Sequence, residues 1–213
     1  IGTGSRVVAD GDTVFVLYSG KLTDGTEFDS SAKHNNEPIT VVVGSGGVIK
    51  GWDLGLPGMK VGGERDLTIP GDLAYGEKGA PQGGIGPNAT LKFHLKLLDM
   101  LKKGEEELID VVDVKKGSGA EAKEGATVTL HYEGTLINGD KFDSSKDRGT
   151  PFTFTIGAHR VVPGFEKGVE GMRVGGIRKI HIPPLLGYGH MGSPPKIPGD
   201  AIINFKVELL SVK

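Results

Sequence analysis

Runs of β-branched and aromatic residues, each opened by a turn signal, set the pattern of this chain. Thr13 to Tyr18 follows Asp10-Gly11-Asp12, and Thr127 to Tyr132 follows Glu124-Gly125-Ala126. Such residues suit a pleated, half-buried surface, so both runs predict strands. A polar corner comes next in each case, Thr23-Asp24-Gly25-Thr26 or Ile137-Asn138-Gly139-Asp140. Asp-Gly and Asn-Gly pairs tolerate positive φ and predict a hairpin, which places Phe28-Asp29-Ser30-Ser31 and Phe142-Asp143-Ser144-Ser145 on the return strands. Further strands are predicted at 39–43, 64–69 and 91–98, with equivalents at 152–156, 177–182 and 202–210. The only helical turns the pattern supports lie at 48–56 and 161–169, where the apolar residues suit one short helix against a sheet. Antiparallel sheet plus one short helix is an α+β architecture.

The two sets of elements are copies of one another. Tyr18 pairs with Tyr132, Val48 with Val161, Met59-Lys60-Val61-Gly62-Gly63 with Met172-Arg173-Val174-Gly175-Gly176, Tyr75-Gly76 with Tyr188-Gly189, and Phe93 with Phe205. A repeat of more than 100 residues indicates duplicated domains, since solenoid units run about 20 to 50 residues. We therefore divide the 213 residues into domains at 1–103 and 104–213, each near the usual size for an independent core. The charge run Lys102-Lys103-Gly104-Glu105-Glu106-Glu107 reads as a solvated linker between them. Gly2-Thr3-Gly4 matches Gly117-Ser118-Gly119, and the apolar segment Leu108 to Val114 has no counterpart ahead of Ile1. The first copy is thus expected to lack its leading strand here, with further residues preceding Ile1 in the full gene product, a targeting segment being one candidate for them.

Composition narrows the chemistry. Eleven basic residues face twelve acidic ones through Lys103, and fourteen face fifteen from Gly104, so neither half is a nucleic-acid binder by bulk charge. No apolar stretch approaches the ~20 residues of a membrane span. The chain has no cysteine, which removes disulfides, thiolate catalysis and cysteine-ligated metal. His34, His94, His131, His159, His181 and His190 share no ligand-like spacing, so packing or surface roles are favoured over metal. No nucleophile elbow or phosphate loop occurs. What repeats instead is a set of aromatic and apolar residues at strand ends. Taken singly, each is read as core. Taken together, Tyr18, Asp29, Trp52 and Tyr75 bring more polar tips than a core ordinarily gathers, which points to a small pocket.

At these residues the chain resembles the FKBP family, the macrolide-binding peptidyl-prolyl isomerases, in two tandem copies. The motifs are Tyr18-Ser19-Gly20, Asp24-Gly25-x-x-Phe28-Asp29-Ser30-Ser31, Val48-Ile49-x-Gly51-Trp52, Gly58-Met59-x-Val61-Gly62, Ala74-Tyr75-Gly76 and Pro87-Asn88-Ala89-Thr90-Leu91. The second copy has Tyr132-Glu133-Gly134, Asn138-Gly139-x-x-Phe142-Asp143-Ser144-Ser145, Val161-Val162-x-Gly164-Phe165, Gly171-Met172-x-Val174-Gly175 and Gly187-Tyr188-Gly189. The resemblance implies a twisted antiparallel sheet wrapped on a short helix. It also implies isomerisation of X-Pro bonds without cofactor, metal or covalent intermediate, by a monomer acting on proline-containing polypeptides. Macrolides of the rapamycin or tacrolimus type are the implied ligands.

Residue by residue, the resemblance makes Trp52 the floor of the first pocket and Tyr18, Phe28, Ile39, Val48, Ile49 and Phe93 its walls. Tyr75 would supply a hydroxyl to a substrate carbonyl and Asp29 would orient groups at the rim. Ile85 would turn inward from a flap at 77–86. The second set is Tyr132, Phe142, Asp143, Arg148, Phe152, Val161, Val162, Phe165, Tyr188, Ile197 and Phe205, under a flap at 190–198. The copies depart from the family pattern in complementary ways. The first has Ile39 where an aromatic wall is usual and a loop one residue longer, without the arginine that Arg148 supplies. The second has Phe165 in place of the tryptophan floor. The first is therefore expected to be the better isomerase, with the alternative that one domain, the second in preference, is a non-catalytic binding or chaperone module. The compartment stays open: a cytoplasmic site is slightly favoured, and a secretory or periplasmic one follows if a signal segment precedes Ile1.

Overall fold

The computed structural model describes residues 5–213. The match between residues 2–4 and 117–119 therefore falls outside the described residues. Two compact units meet between Gly104 and Glu105. The first contains β1 (Thr13–Leu22), β2 (Glu27–Ser30), β3 (Ile39–Val42), α1 (Lys50–Gly55), β4 (Glu64–Ile69) and β5 (Leu91–Leu101). Its sheet runs β2-β1-β5-β4, with β3 added to the first half of β1, and all pairings are antiparallel.

Alternation on β5 shows how the sequence picks a face. Leu91, Phe93, Leu95 and Leu97 are buried, whereas Lys92, His94 and Lys96 are exposed. That period of two fits a sheet with one face on a core and one in water. Val14, Val16, Leu56, Leu91, Leu95, Leu97 and Met100 have no exposed surface. Each such side chain contributes about 1.5–3 kcal/mol relative to remaining exposed. The helix can lie this close to β4 because Gly51 has no side chain: a Cβ there would stand 2.4 Å from Ile69 Cγ2.

The second unit repeats the plan with β7 (Thr127–Leu136), β8 (Lys141–Ser144), β9 (Phe152–Thr155), α2 (Pro163–Val169), β10 (Ile177–Ile182) and β11 (Ile203–Val212), preceded by β6 (Asp110–Lys115). Here the order is β6-β10-β11-β7-β8, with β9 on β7. β6 is held on β10 by its backbone and by Arg178, whose Nε donates to Asp113 at 2.7 Å. In the first unit no strand lies beyond β4 among the described residues.

Each unit is a sheet with a short helix, the α+β class expected. Two details differ from expectation. The neighbouring strands β1 and β5 run on, to Leu22 and Leu101, because their pairing continues past the predicted runs. Helical turns are also not confined to 48–56 and 161–169. Single 3₁₀ turns occur at Ser31–His34, Gly71–Leu73, Gly76–Lys78, Pro81–Gly83, Pro184–Leu186 and Gly189–Met191. A turn of three or four residues has no room for a periodic pattern, so hydrophobic spacing gives no sign of it.

Candidate functional site

In the first unit β1, β2, β3, α1 and β5 converge on a cavity of about 600 Å³. Its lining includes Tyr18, Phe28, Asp29, Ile39, Val48, Ile49, Trp52, Tyr75 and Phe93. Trp52 is 4% exposed and stands edge-on to two rings, Phe93 at 5.3 Å and Tyr18 at 5.6 Å between centroids. Phe28 meets Phe93 in the same way at 5.5 Å. Each edge-to-face pair contributes about 0.5–1.5 kcal/mol beyond its buried area, so the cavity has a stiff wall. Gly20 makes the stack possible: a Cβ at that position would lie 2.6 Å from Phe28 Cζ and 2.8 Å from Phe93 Cε1.

The loop carrying Val48 and Ile49 is fixed from the helix. Asp53, next to the floor residue, accepts hydrogen bonds from the backbone N–H of Gly44 at 2.8 Å and of Gly46 at 3.1 Å. The floor has its own cost, since Trp52 Nε1 is buried without a hydrogen-bond partner among the described residues. An unsatisfied buried donor destabilises by about 1–3 kcal/mol.

Polar groups collect at the rim. Tyr18 donates its hydroxyl to Asp29 Oδ2 at 2.6 Å, the Ser30 N–H donates to Oδ1 at 2.9 Å, and His34 Nε2 lies 3.0 Å from Oδ1. Burial acts to raise the Asp29 pKa, but hydrogen bonds from Tyr18 and His34 outweigh it, and the carboxyl is held below its ordinary value. Tyr18 moves the opposite way, through burial first and Asp29 second. Its proton therefore stays on the hydroxyl. Tyr75 is 42% exposed and makes no hydrogen bond to another described residue, which leaves its hydroxyl available to a guest.

The second unit builds the same site on a smaller scale, a cavity of about 170 Å³ lined by Tyr132, Phe142, Asp143, Phe152, Val161, Val162, Phe165, Tyr188 and Phe205, with Arg160. Phe165 packs on Phe205 at 4.7 Å and on Tyr132 at 5.8 Å. Phe152 adds a ring 5.6 Å from Tyr132, on the strand where the first unit has Ile39. Gly134 repeats Gly20, with a Cβ position 2.6 Å from Phe142 Cζ. Glu166 repeats Asp53, accepting the Gly157 N–H at 2.9 Å and meeting His159 Nδ1 at 3.1 Å.

Its rim is more tightly tied. Tyr132 donates to Asp143 Oδ2 at 2.5 Å, and Arg148 pairs with Asp143 while donating to the Tyr132 oxygen at 2.7 Å. The guanidinium also sits 5.5 Å from the Tyr132 ring centre. Burial again acts to raise the Asp143 pKa, and the bonds from Tyr132 and Arg148 bring it below the ordinary value. Tyr188 is 38% exposed, and its pKa is raised by burial and then by the Asp143 charge.

Most of the residues singled out in the sequence thus meet at two cavities. Ile85 and Ile197 do not reach either lining; both are buried, at 3% and 4% exposure, within the core clusters. Arg148 stands on the rim rather than the wall. Sequence reasoning missed Gly47, Lys50 and Ala74 on the first lining and Arg160 on the second. It also missed His34, which holds Asp29 much as Arg148 holds Asp143. The signal was present, because His34 follows Asp29 by the same five positions as Arg148 follows Asp143. No group of three potential metal ligands occurs among the described residues, and no helix is long and apolar enough to cross a membrane.

The family model for FKBP-type peptidyl-prolyl cis-trans isomerase matches the sequence twice, over residues 4–98 and 119–210. The chain belongs to this family. Human peptidyl-prolyl cis-trans isomerase FKBP10 is 40% identical over 205 residues, which is 96% of this chain and 35% of that protein. Human FKBP9 is 39% identical over 207 residues, 97% of this chain and 36% of that protein. The chain therefore spans about a third of the length of these relatives. A single-domain length is matched by FK506-binding protein 2 of Dictyostelium discoideum, 50% identical over 114 residues, 54% of this chain and 81% of that protein. Among solved structures, AtFKBP13 is 36% identical over 49% of this chain and 93% of its own, with a TM-score of 0.47.

Proposed function

We propose that this chain is a peptidyl-prolyl cis-trans isomerase whose first domain does most of the catalysis. The observation that carries this reading is the roughly 600 Å³ cavity lined by Trp52 together with Tyr18, Phe28, Tyr75 and Phe93. Rotation about an X-Pro bond breaks no covalent bond; its barrier of ~18–20 kcal/mol reflects lost amide resonance. A twisted amide is less polar than a planar one, so a dry cavity that grips the proline ring favours the transition state over the ground state. Nothing else is required of the protein, which accounts for the lack of nucleophile, acid-base pair or cofactor motif in the sequence.

In this reading the proline ring sits on Trp52 between Tyr18, Phe28 and Phe93, and Val48 and Ile49 close the side nearest the helix. Tyr75 donates to the substrate carbonyl, a bond contributing on the order of 1 kcal/mol. The tied Tyr18–Asp29 pair holds the rim in shape. Macrolides of the rapamycin or tacrolimus type would fill the same cavity and compete with substrate. Proline-limited refolding, otherwise a process of tens to hundreds of seconds, is the assay. The full chain should accelerate it, and macrolide should abolish the acceleration. A rate unaffected by both Trp52→Ala and Asp29→Val would remove the first cavity as catalyst.

A second reading applies to the other domain. Its cavity is about 170 Å³, narrowed where Phe152 replaces Ile39 and Arg160 replaces Gly47. Such a site suits holding a proline-containing segment better than turning it over. Binding of proline peptides at the second cavity with no loss of refolding catalysis on Phe165→Ala would support this module role.

A further inference from the structure

We propose that the second pocket selects proline-containing segments bearing a carboxylate on a residue next to the proline, with Arg160 as the group that receives it. This rests on the reading of both cavities as proline sites and goes beyond it to substrate class.

Arg160 occupies the lining position that Gly47 has in the first unit, one residue ahead of the apolar pair Val161-Val162. It is exposed and forms no ion pair with another described residue. Asp143, the carboxylate on the same lining, is already engaged by Tyr132, the Ser144 N–H and Arg148. No ion pair joins it to Arg160 among the described residues. A second cation stands at the wall: Lys196 donates to the Phe142 carbonyl at 3.3 Å, where the first unit has Gly84 on its flap. On that flap the Asp200 carboxylate is taken up by His190 at 2.5 Å.

The first pocket is balanced by contrast. Lys50 and Asp29 line it with opposite signs, and Lys33, which donates to the Phe28 carbonyl at 3.1 Å, lies 3.7 Å from Glu27. On each lining one cation accompanies one carboxylate, Lys50 with Asp29 and Arg160 with Asp143, but only the second aspartate is already paired with a further arginine, Arg148. A guanidinium presents a planar fork that matches a carboxylate. The discrimination expected of one such partly exposed pair is about threefold.

The test is a two-dimensional NMR titration of the whole chain with Ac-Ala-X-Pro-Phe-amide and Ac-Ala-Leu-Pro-X-amide, where X is Glu, Gln or Lys. Val161 and Tyr188 report the second pocket, and the Trp52 indole reports the first. In one of the two peptide series, Glu should bind the second pocket about threefold more tightly than Gln and more tightly still than Lys, while the Trp52 signal separates the three weakly. Arg160→Gly should erase the preference and Arg160→Glu should reverse it, with unchanged spectra elsewhere confirming the fold. A Glu to Gln ratio near one, or a ratio that survives Arg160→Gly, overturns the proposal. Failure of every peptide to shift the second pocket's resonances overturns the proline-site reading instead, and this inference with it.

Discussion

The two domains solve one packing problem with different residues under the floor. Trp52 fills its place and leaves a buried N–H without a partner among the described residues. Phe165 fills the same place and has no donor to strand. The copy with the less comfortable floor is the one with the larger cavity, about 600 against 170 Å³. A core optimised only for stability would have no reason to keep an unsatisfied indole when the phenylalanine solution is available on the same fold. On the function proposed above, the pocket supplies the reason: a wider aromatic plate under the guest.

Truncating the floors gives the largest expected effects. Trp52→Ala and Phe165→Ala each remove a buried aromatic ring, and each should destabilise its own domain by about 3–5 kcal/mol, read as separate urea transitions by circular dichroism. The functional outcomes should separate. Under conditions where both domains remain folded, Trp52→Ala should lower catalysis of proline-limited refolding at least tenfold, and Phe165→Ala should leave more than half of it. Equal losses would mean that the domains share the work and that cavity volume is a poor guide.

Asp12 marks a second difference between the copies. It is 3% exposed and accepts from the Ala9 N–H at 2.8 Å, the Lys102 ammonium at 2.8 Å and the Lys103 N–H at 3.3 Å. The second unit has Ala126 there. Burial acts to raise the Asp12 pKa, but the bond from Lys102 and the two backbone donors bring it below the ordinary value. A carboxyl depressed by folding adds stability that is fully present above the usual carboxylate range and is lost as pH falls through the folded value. We expect Asp12→Ala to cost the first domain about 2 kcal/mol at pH 7. That cost should shrink in acid, below about pH 4. A pH-independent difference between wild type and variant would place the effect in packing rather than charge.

Much of this fold is written in local pattern. Turn signals followed by β-branched runs locate β1 and β7, and the alternation of Leu91, Phe93, Leu95 and Leu97 with Lys92, His94 and Lys96 sets the inner face of β5. The duplication adds a second reading of nearly every landmark, which is why the aromatic wall residues are legible from sequence. Charged groups at the rim are less so. His34 and Arg148 reach equivalent carboxylates from loops of different length, and only the shared five-residue step from the aspartate links them. Arg160 lines its cavity from the loop before α2 and Lys50 from the first residue of α1, positions that no spacing rule relates. Ile85 and Ile197 pose the opposite problem: an apolar residue in a flap reads equally as wall or core, and both are buried off the linings.

Trp52→Phe tests the floor comparison more gently. It removes the partnerless N–H, which favours the folded state, and it removes ring volume, which disfavours it. The two effects oppose, so the stability of the first domain should change by less than about 1.5 kcal/mol in chemical denaturation. Catalysis should still fall, by severalfold, because the plate beneath the proline shrinks to that of the second domain. A large loss of stability would show that the indole is held by interactions other than the ring contacts to Tyr18 and Phe93.

The smallest effect concerns the rim. Arg148 brings a planar donor fork to its aspartate and tyrosine, whereas His34 brings one ring nitrogen to Asp29. Asp29 also holds the Tyr18 hydroxyl, and the His34 side chain is 59% exposed, so its contact with the carboxylate is well screened. Lys33, on the same turn, is already turned toward Glu27 and the Phe28 carbonyl and does not compete for Asp29. His34→Ala should therefore lower kcat/KM at the first pocket by no more than about twofold, and salt should damp the change. His34→Arg should restore the loss by giving the first rim the fork of the second. The direct comparison is Arg148→Ala, which should weaken peptide binding at the second pocket by more, because it removes contacts to both Asp143 and Tyr132. Equally small effects of the two alanine variants would show that the Tyr–Asp bond alone holds each rim and that His34 and Arg148 are equivalent in effect as well as in place.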